Sequence, residues 1–167
     1  YRRYRDMGAG GIKQLDDAQL CDRGDGANNS ICMLVRHISG NFASRFTDFL
    51  TSDGEKPWRD RESEFDPTPL SKDEIEERWD RGWGILFGAL EGLTDADLGR
   101  HVSIRGQKLT VIEALQRSLA HVAYHVGQIL YIGKSLAGEN WKYLTIPPGQ
   151  SASYNQNPTL ERSAAKI

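Results

Sequence analysis

The stretch His121-Val-Ala-Tyr-His125-Val-Gly-Gln128-Ile129 lies inside the longest uninterrupted helical pattern of this 167-residue chain. Residues four apart on a helix share a face about one turn, or roughly 6 Å, apart along the axis, so two imidazoles there can share a metal ion. A hydrogen-bonded structural pair is the competing reading, and a metal needs at least one further ligand from elsewhere in the chain. The zinc-protease version of this spacing carries Glu directly after the first histidine, and Val122 stands there, which argues against that activity. Around the pair, Thr110-Val-Ile-Glu113 forms a capping box. Val111, Ile112, Leu115, Leu119, Val122, Val126, Ile129, Leu130 and Ile132 follow nearly all round the helix, which predicts a buried central helix over 110–137. Ala114, Ser118, His121, His125 and Gln128 make a semi-polar stripe on it, and polar groups buried in a core must be paired or bound to something. Gly127 is expected to let a neighbouring helix approach closely.

Working outward, His101 to Thr110 reads as a short extended arm or hairpin turning at Gly106, with His101 exposed or structural. Ser71-Lys-Asp-Glu74 is another capping box, and Ile75, Trp79, Trp83, Leu86, Leu90 and Leu93 continue a helix over 71–92 with the tryptophans in the core. Between about 51 and 70 three prolines and Asp53-Gly54 rule out helix and predict a functional loop or long crossover, packed on the body through Trp58 and Phe65. Ser30 caps a helix predicted over 30–50, with Ile31, Leu34, Val35, Ile38, Phe42, Phe46 and Phe49 at the 3.6-residue period. His37 borders that apolar stripe, with Asn41, Arg45 and Asp48 following one turn at a time. A looser apolar spacing predicts a first helix over 1–20, weakened by Gly8, Gly10 and Gly11. Gly24 to Asn29 reads as a turn, and residues 138–167 as a tail resting on the helices as far as Tyr154.

A chain of this length is the size of one domain, and 38% hydrophobic with 26% charged residues is a soluble, globular composition. A formal charge of −2 offers no basic footprint for nucleic acid, and no apolar run is long enough to span a bilayer. Neither nucleic acid nor membrane is an expected partner. Two cysteines, Cys21 and Cys32, are too few for a disulfide scaffold and suit a reducing, cytoplasmic location, with Cys32 as a small buried hydrophobe. The chain opens at Tyr1 without an n-region, apolar h-region and cleavage site, so the expectation is a trimmed start and no secretion signal.

One histidine on the second helix and His-x-x-x-His-x-Gly-Gln-Ile on the last long helix, reached through an Arg105-Gly106-Gln107 arm, together resemble the DinB-like (YfiT-like) superfamily of bacterial metal-dependent proteins. The runs Arg45-Phe-Thr-Asp48-Phe-Leu and Asp53-Gly-Glu-Lys-Pro57-Trp58-Arg59 resemble an uncharacterised subgroup of it. The resemblance covers nearly the whole chain. It implies an all-α fold, a four-helix bundle with a long crossover between helices two and three and the short arm before helix four, as one domain over 1–167. It also implies His37, His121 and His125 as ligands of nickel, zinc, iron or manganese, with water or substrate completing the coordination. Relatives suggest a metal-dependent transferase or hydrolase acting on a small-molecule substrate, with a low-molecular-weight thiol such as bacillithiol or mycothiol as nucleophile. In that reading Asn41 lies near the substrate, Arg45 or Arg59 holds an anionic group, and Gln128 orients a ligand histidine or the bound water. Neither Asp48 nor Glu113 can be placed as a general base from sequence. The rival expectation is a non-catalytic, stress-related binding or scaffold protein with a structural or vestigial metal site. Pairing among relatives, and the apolar excess on helices three and four, suggest a homodimer.

Overall fold

The computed structural model describes residues 1–24, 26 and 28–160; Asp25 and Ala27 of the expected turn, and residues 161–167 of the tail, lie outside the described residues. The described chain is mostly helical. It has α1 (Arg2–Ile12), α2 (Asp17–Cys21), α3 (Ile31–Phe46), α4 (Lys72–Glu91), α5 (Val111–Ala137) and α6 (Ser151–Asn155), with an antiparallel pair of strands, β1 (His101–Ile104) and β2 (Gln107–Thr110). No helix among the described residues is long and apolar enough to cross a membrane.

Capping chemistry explains most boundaries. The hydroxyls of Ser71 and Thr110 accept from the backbone N–H of Glu74 and Glu113, whose carboxylates accept from the cap N–H in return, so α4 and α5 each begin one residue after the capping residue. The expected helix over 1–20 is instead two pieces. The chain tightens after Ile12, and Asp16 with Gln19 forms a separate capping box that starts α2 on a new axis. The helix expected to reach Leu50 stops at Phe46, because Thr47 is extended and Asp48 takes a left-handed φ of 49°. Phe49 stays buried beyond that break, so its apolar spacing continues the pattern where the helix does not.

α3 packs on α4 and on α5, while α1 packs on α5 and α4. Their shared core contains Leu34, Ile38, Phe42, Ile75, Trp79, Trp83, Leu86, Val122 and Ile129. Each such side chain contributes about 1.5–3 kcal/mol on burial. Trp83 sits edge-on to Phe42 with centroids 4.9 Å apart and lies 5.5 Å from Trp79, so both tryptophans are packing residues. Cys32 is buried on the same side of α3, and burial pushes its thiol up to about 11, well outside the nucleophilic range.

The crossover between α3 and α4 does not dock through Trp58, which is 58% exposed; the expectation for that residue was wrong. Phe65 does meet the body, half-buried with its ring 5.0 Å from that of His37, and polar ties supply further anchorage. The Asp53 carboxylate accepts from the backbone N–H groups of Arg105 and Gly106 and from the Ser103 hydroxyl, fastening the crossover to the β1–β2 turn. The Ser103 hydrogen bond, followed by the backbone donors, holds that carboxyl well below the usual carboxylate range. Gly127, expected to admit a neighbouring helix, faces open space.

Close approach of α3 and α4 occurs at Gly82, where an added Cβ would stand 2.8 Å from the Ser39 Cα. Backbone cannot yield as a side-chain tip can. Gly82→Ala is therefore expected to lose about 1–2 kcal/mol, the overpacking cost exceeding the gain in helix propensity. Gly88→Ala on the same helix meets nothing within 4 Å and is expected to gain up to about 1 kcal/mol. Urea denaturation of the two variants checks the opposite signs.

Candidate metal centre

His37 projects from the middle of α3, and His121 and His125 from one face of α5, which packs against it. One ring nitrogen from each of the three lies within 4.8 Å of the others, and the Nε2 atoms of His37 and His121 are 3.1 Å apart. Two nitrogens bound to one tetrahedral ion at about 2.1 Å stand about 3.4 Å from each other, so the closest pair is near coordination distance already. The group can hold one metal ion.

Hydrogen bonds at the far side of the rings decide which nitrogen carries the lone pair. Glu64 Oε2 lies 2.8 Å from His37 Nδ1; a carboxylate only accepts, so Nδ1 carries a proton and Nε2 is the nitrogen turned toward the other histidines as donor to a metal. Gln128 Oε1 likewise accepts from His125 Nδ1 at 2.7 Å. The remaining His125 Nε2 is buried with no partner among the described residues. An orphaned buried acceptor costs about 1–3 kcal/mol, and an ion shared with the other two imidazoles would satisfy it.

Burial, reinforced by His125, His37, Arg59 and Arg117, depresses His121 to about 3, and burial together with His37 depresses His125 to about 4 against the supporting bond to Gln128. Both rings are therefore neutral at physiological pH, the form that ligates a metal.

Glu64, to which the sequence reading assigned no role, is the hub of the site. It is 6% exposed, and its oxygens accept from Arg59 Nε and Nη2 at 2.8 and 2.9 Å as well as from His37. Burial alone would raise its pKa, but the hydrogen bonds from His37 and Arg59 outweigh that and hold the carboxyl below its ordinary value. Room for it exists because Gly40 lies one turn beyond His37; a Cβ there would fall 2.3 Å from Glu64 Oε1. The signal in the sequence was an acidic residue beside Phe65 in a segment that also carries Arg59, but a gap of 27 residues hides its pairing with His37.

A cavity of about 670 Å³ opens beside the histidines, and Asn41, Arg45 and Arg59 line it with them. Neither of those arginines is free for a substrate anion. Arg59 is spent on Glu64, and Arg45 donates to Glu55 Oε2 at 3.0 Å and to the Gly54 carbonyl. Gln128 lies outside this cavity, at the wall of a neighbouring one, and reaches the site only through His125. Asp48 is exposed in the turn after α3, and Glu113 is engaged at the start of α5. His101 is exposed at the head of β1. The arginines that sequence reasoning missed are Arg61, Arg105 and Arg117, all exposed residues lining the cavity.

Two outcomes follow from this geometry. Gly40→Ala is expected to displace the Glu64 carboxylate and weaken zinc binding by about tenfold while leaving helicity intact, as measured by competition with a chromophoric chelator and by circular dichroism. In the metal-free protein, His121 and His125 have folded pKa values below their unfolded value of about 6.5, so the unfolded chain binds more protons between about pH 6.5 and 3. Stability should fall as pH is lowered through that window. Thermal melts of the His121→Gln/His125→Gln double variant should show a flatter dependence, and identical slopes would contradict the assignment.

Comparison with curated proteins and comparison with solved structures each found no match. The family model described as a protein of unknown function, DUF1572, matches residues 1–150, most of the chain, and the chain belongs to that family.

Proposed function

We propose that the chain is a metal-dependent enzyme of the DinB-like kind, in which His37, His121 and His125 hold one divalent transition ion beside the arginine-lined cavity. The observation that carries this reading is the incomplete donor set. Three imidazoles converge with His125 Nε2 unsatisfied, and no fourth His, Cys, Asp or Glu joins the group among the described residues. Three protein ligands with a position left for solvent or substrate is the catalytic pattern, whereas structural sites close with four. The mutual packing of α1, α3, α4 and α5 supports a four-helix bundle as the frame.

When bound, such an ion supplies the positive charge that deprotonates a water or a low-molecular-weight thiol. The protein's own part is orientation. Glu64 fixes the His37 ring, Gln128 fixes the His125 ring, and Arg59 keeps Glu64 ionised. Among the described residues no aspartate or glutamate lines the cavity, so its described wall offers no carboxylate as general base. A thiol is deprotonated outright on coordination and needs no such base, which favours thiol-dependent transfer of the bacillithiol or mycothiol type over hydrolysis. That same missing base supports the second reading, a non-catalytic binding or scaffold protein with a structural ion.

Replacement of His121 by Ala is expected to abolish stoichiometric metal while the helical fold persists, since the core tryptophans and leucines supply most of the burial. His101→Ala should bind metal like the parent. Equal metal content in both variants would overturn the site. The reconstituted protein is then screened for metal-dependent consumption of a low-molecular-weight thiol by an electrophile. Full metal occupancy without any turnover would leave the scaffold reading standing.

A further inference from the structure

Among the described residues five arginines, Arg45, Arg59, Arg61, Arg105 and Arg117, line the cavity beside the histidines, and no carboxylate does. Two are neutralised inside the protein, as described. Glu55 carries one charge for two guanidiniums, and of these Arg45 is held inside at 12% side-chain exposure while Arg105, at 58%, can turn to an anion in the cavity; Arg61 reaches the exposed Glu62 at 3.4 Å and lies over the Phe65 ring. Arg117 has no hydrogen-bonded or ion-paired partner among the described residues. It stands one helical turn before His121 on α5, about 6 Å along the axis. Imidazoles bring no negative charge, so a divalent ion held by them would add its full charge to a wall already in positive excess.

The backbone at Arg105 gives an independent indication. Ile104 pairs with Gln107, leaving Arg105-Gly106 as a two-residue hairpin loop, and both residues have positive φ, 55° and 72°. A loop of this type favours Asn, Asp or Gly at its first position, where arginine carries a conformational penalty. The penalty is borne because Asp53 clamps both N–H groups of the turn, and the side chain so presented lines the cavity. Strain held at a fixed position beside a candidate site is the usual mark of a functional side chain.

We infer that the cavity takes a small substrate carrying a carboxylate or phosphate group, which Arg117 and Arg105 grip while its reacting end lies at the histidines. This rests on the metal-enzyme reading only for the position of the reacting end. The size of the cavity suits a small molecule, and arginines gathered in a concavity of a chain with net negative charge do not form the extended basic face that nucleic acid requires. Guanidinium groups pair bidentately with both carboxylate and phosphate, so the geometry selects the charge and leaves the group open.

The test is calorimetric titration of the zinc-loaded full-length chain with succinate and with inorganic phosphate at low ionic strength. At least one of the two should bind saturably, and the stronger binder identifies the anionic group. Arg117→Gln and Arg105→Asn should each weaken binding at least tenfold with zinc content unchanged. Arg105→Asn should also melt no lower than the parent, because asparagine suits the left-handed turn position, so a loss of binding there cannot be ascribed to unfolding. Arg81→Gln, which removes an exposed arginine on α4 paired only with Glu77, should bind as the parent does. Absence of binding by either anion, or equal binding in the parent and both cavity variants, overturns the inference. Failure of the metal reading has a different signature: zinc would be absent from the parent, while arginine-dependent anion binding would persist.

Discussion

The candidate site depends on one buried anion. Glu64 is removed from water almost completely, a placement that costs several kcal/mol for an isolated carboxylate and is tolerated only because Arg59, with a side chain 3% exposed, and His37 both donate to it. Removing one member of such a buried set typically costs about 3–5 kcal/mol, since the remaining charge is left unpaired. The same triad performs two tasks. It ties the crossover to α3, and it dictates the tautomer of His37, turning the Nε2 lone pair toward the His121 Nε2 3.1 Å away.

Around that anion the scaffold is divided between apolar and polar fastening. The helices are held by tryptophans, phenylalanines and aliphatic residues packed across α3, α4 and α5, with a glycine where α3 and α4 come closest. Besides Phe65 beside His37, the crossover relies on carboxylates, Asp53 at the hairpin and Glu64 at α3. Hydrophobic area therefore sets the distance between the helices that carry the histidines, while directional hydrogen bonds set the orientation of the rings.

Much of the helical framework was legible in the chain because its signals are local. Ser71 with Glu74, and Thr110 with Glu113, are pairs three residues apart that mark helix starts the structure places at Lys72 and Val111. Where the signals compete, the sequence misled. Phe49 keeps the apolar period after the backbone has turned away at Asp48, and Asp16 restarts a helix inside what reads as one. The His121 and His125 pair is visible from spacing alone, but its meeting with His37 is a tertiary event that only a family resemblance suggested. Glu64 and Arg117 were harder still. A carboxylate in a proline-rich segment and an arginine on a helix face both look like solvated surface until the partners, or the lack of them, are known.

The crossover touches both halves of the site, through Glu64 to the helix bearing His37 and through Asp53 to the hairpin that runs directly into the helix bearing His121 and His125. It is a strap across the two elements that bear the histidines rather than a passive connection. For protein engineering this means that the centre is not portable as three histidines on two helices. Grafted into another helical frame without residues 53–64, the His37 ring would arrive with a free rotor and an undetermined tautomer, even though Gln128 travels with His125. The transferable unit is the helix pair together with its strap.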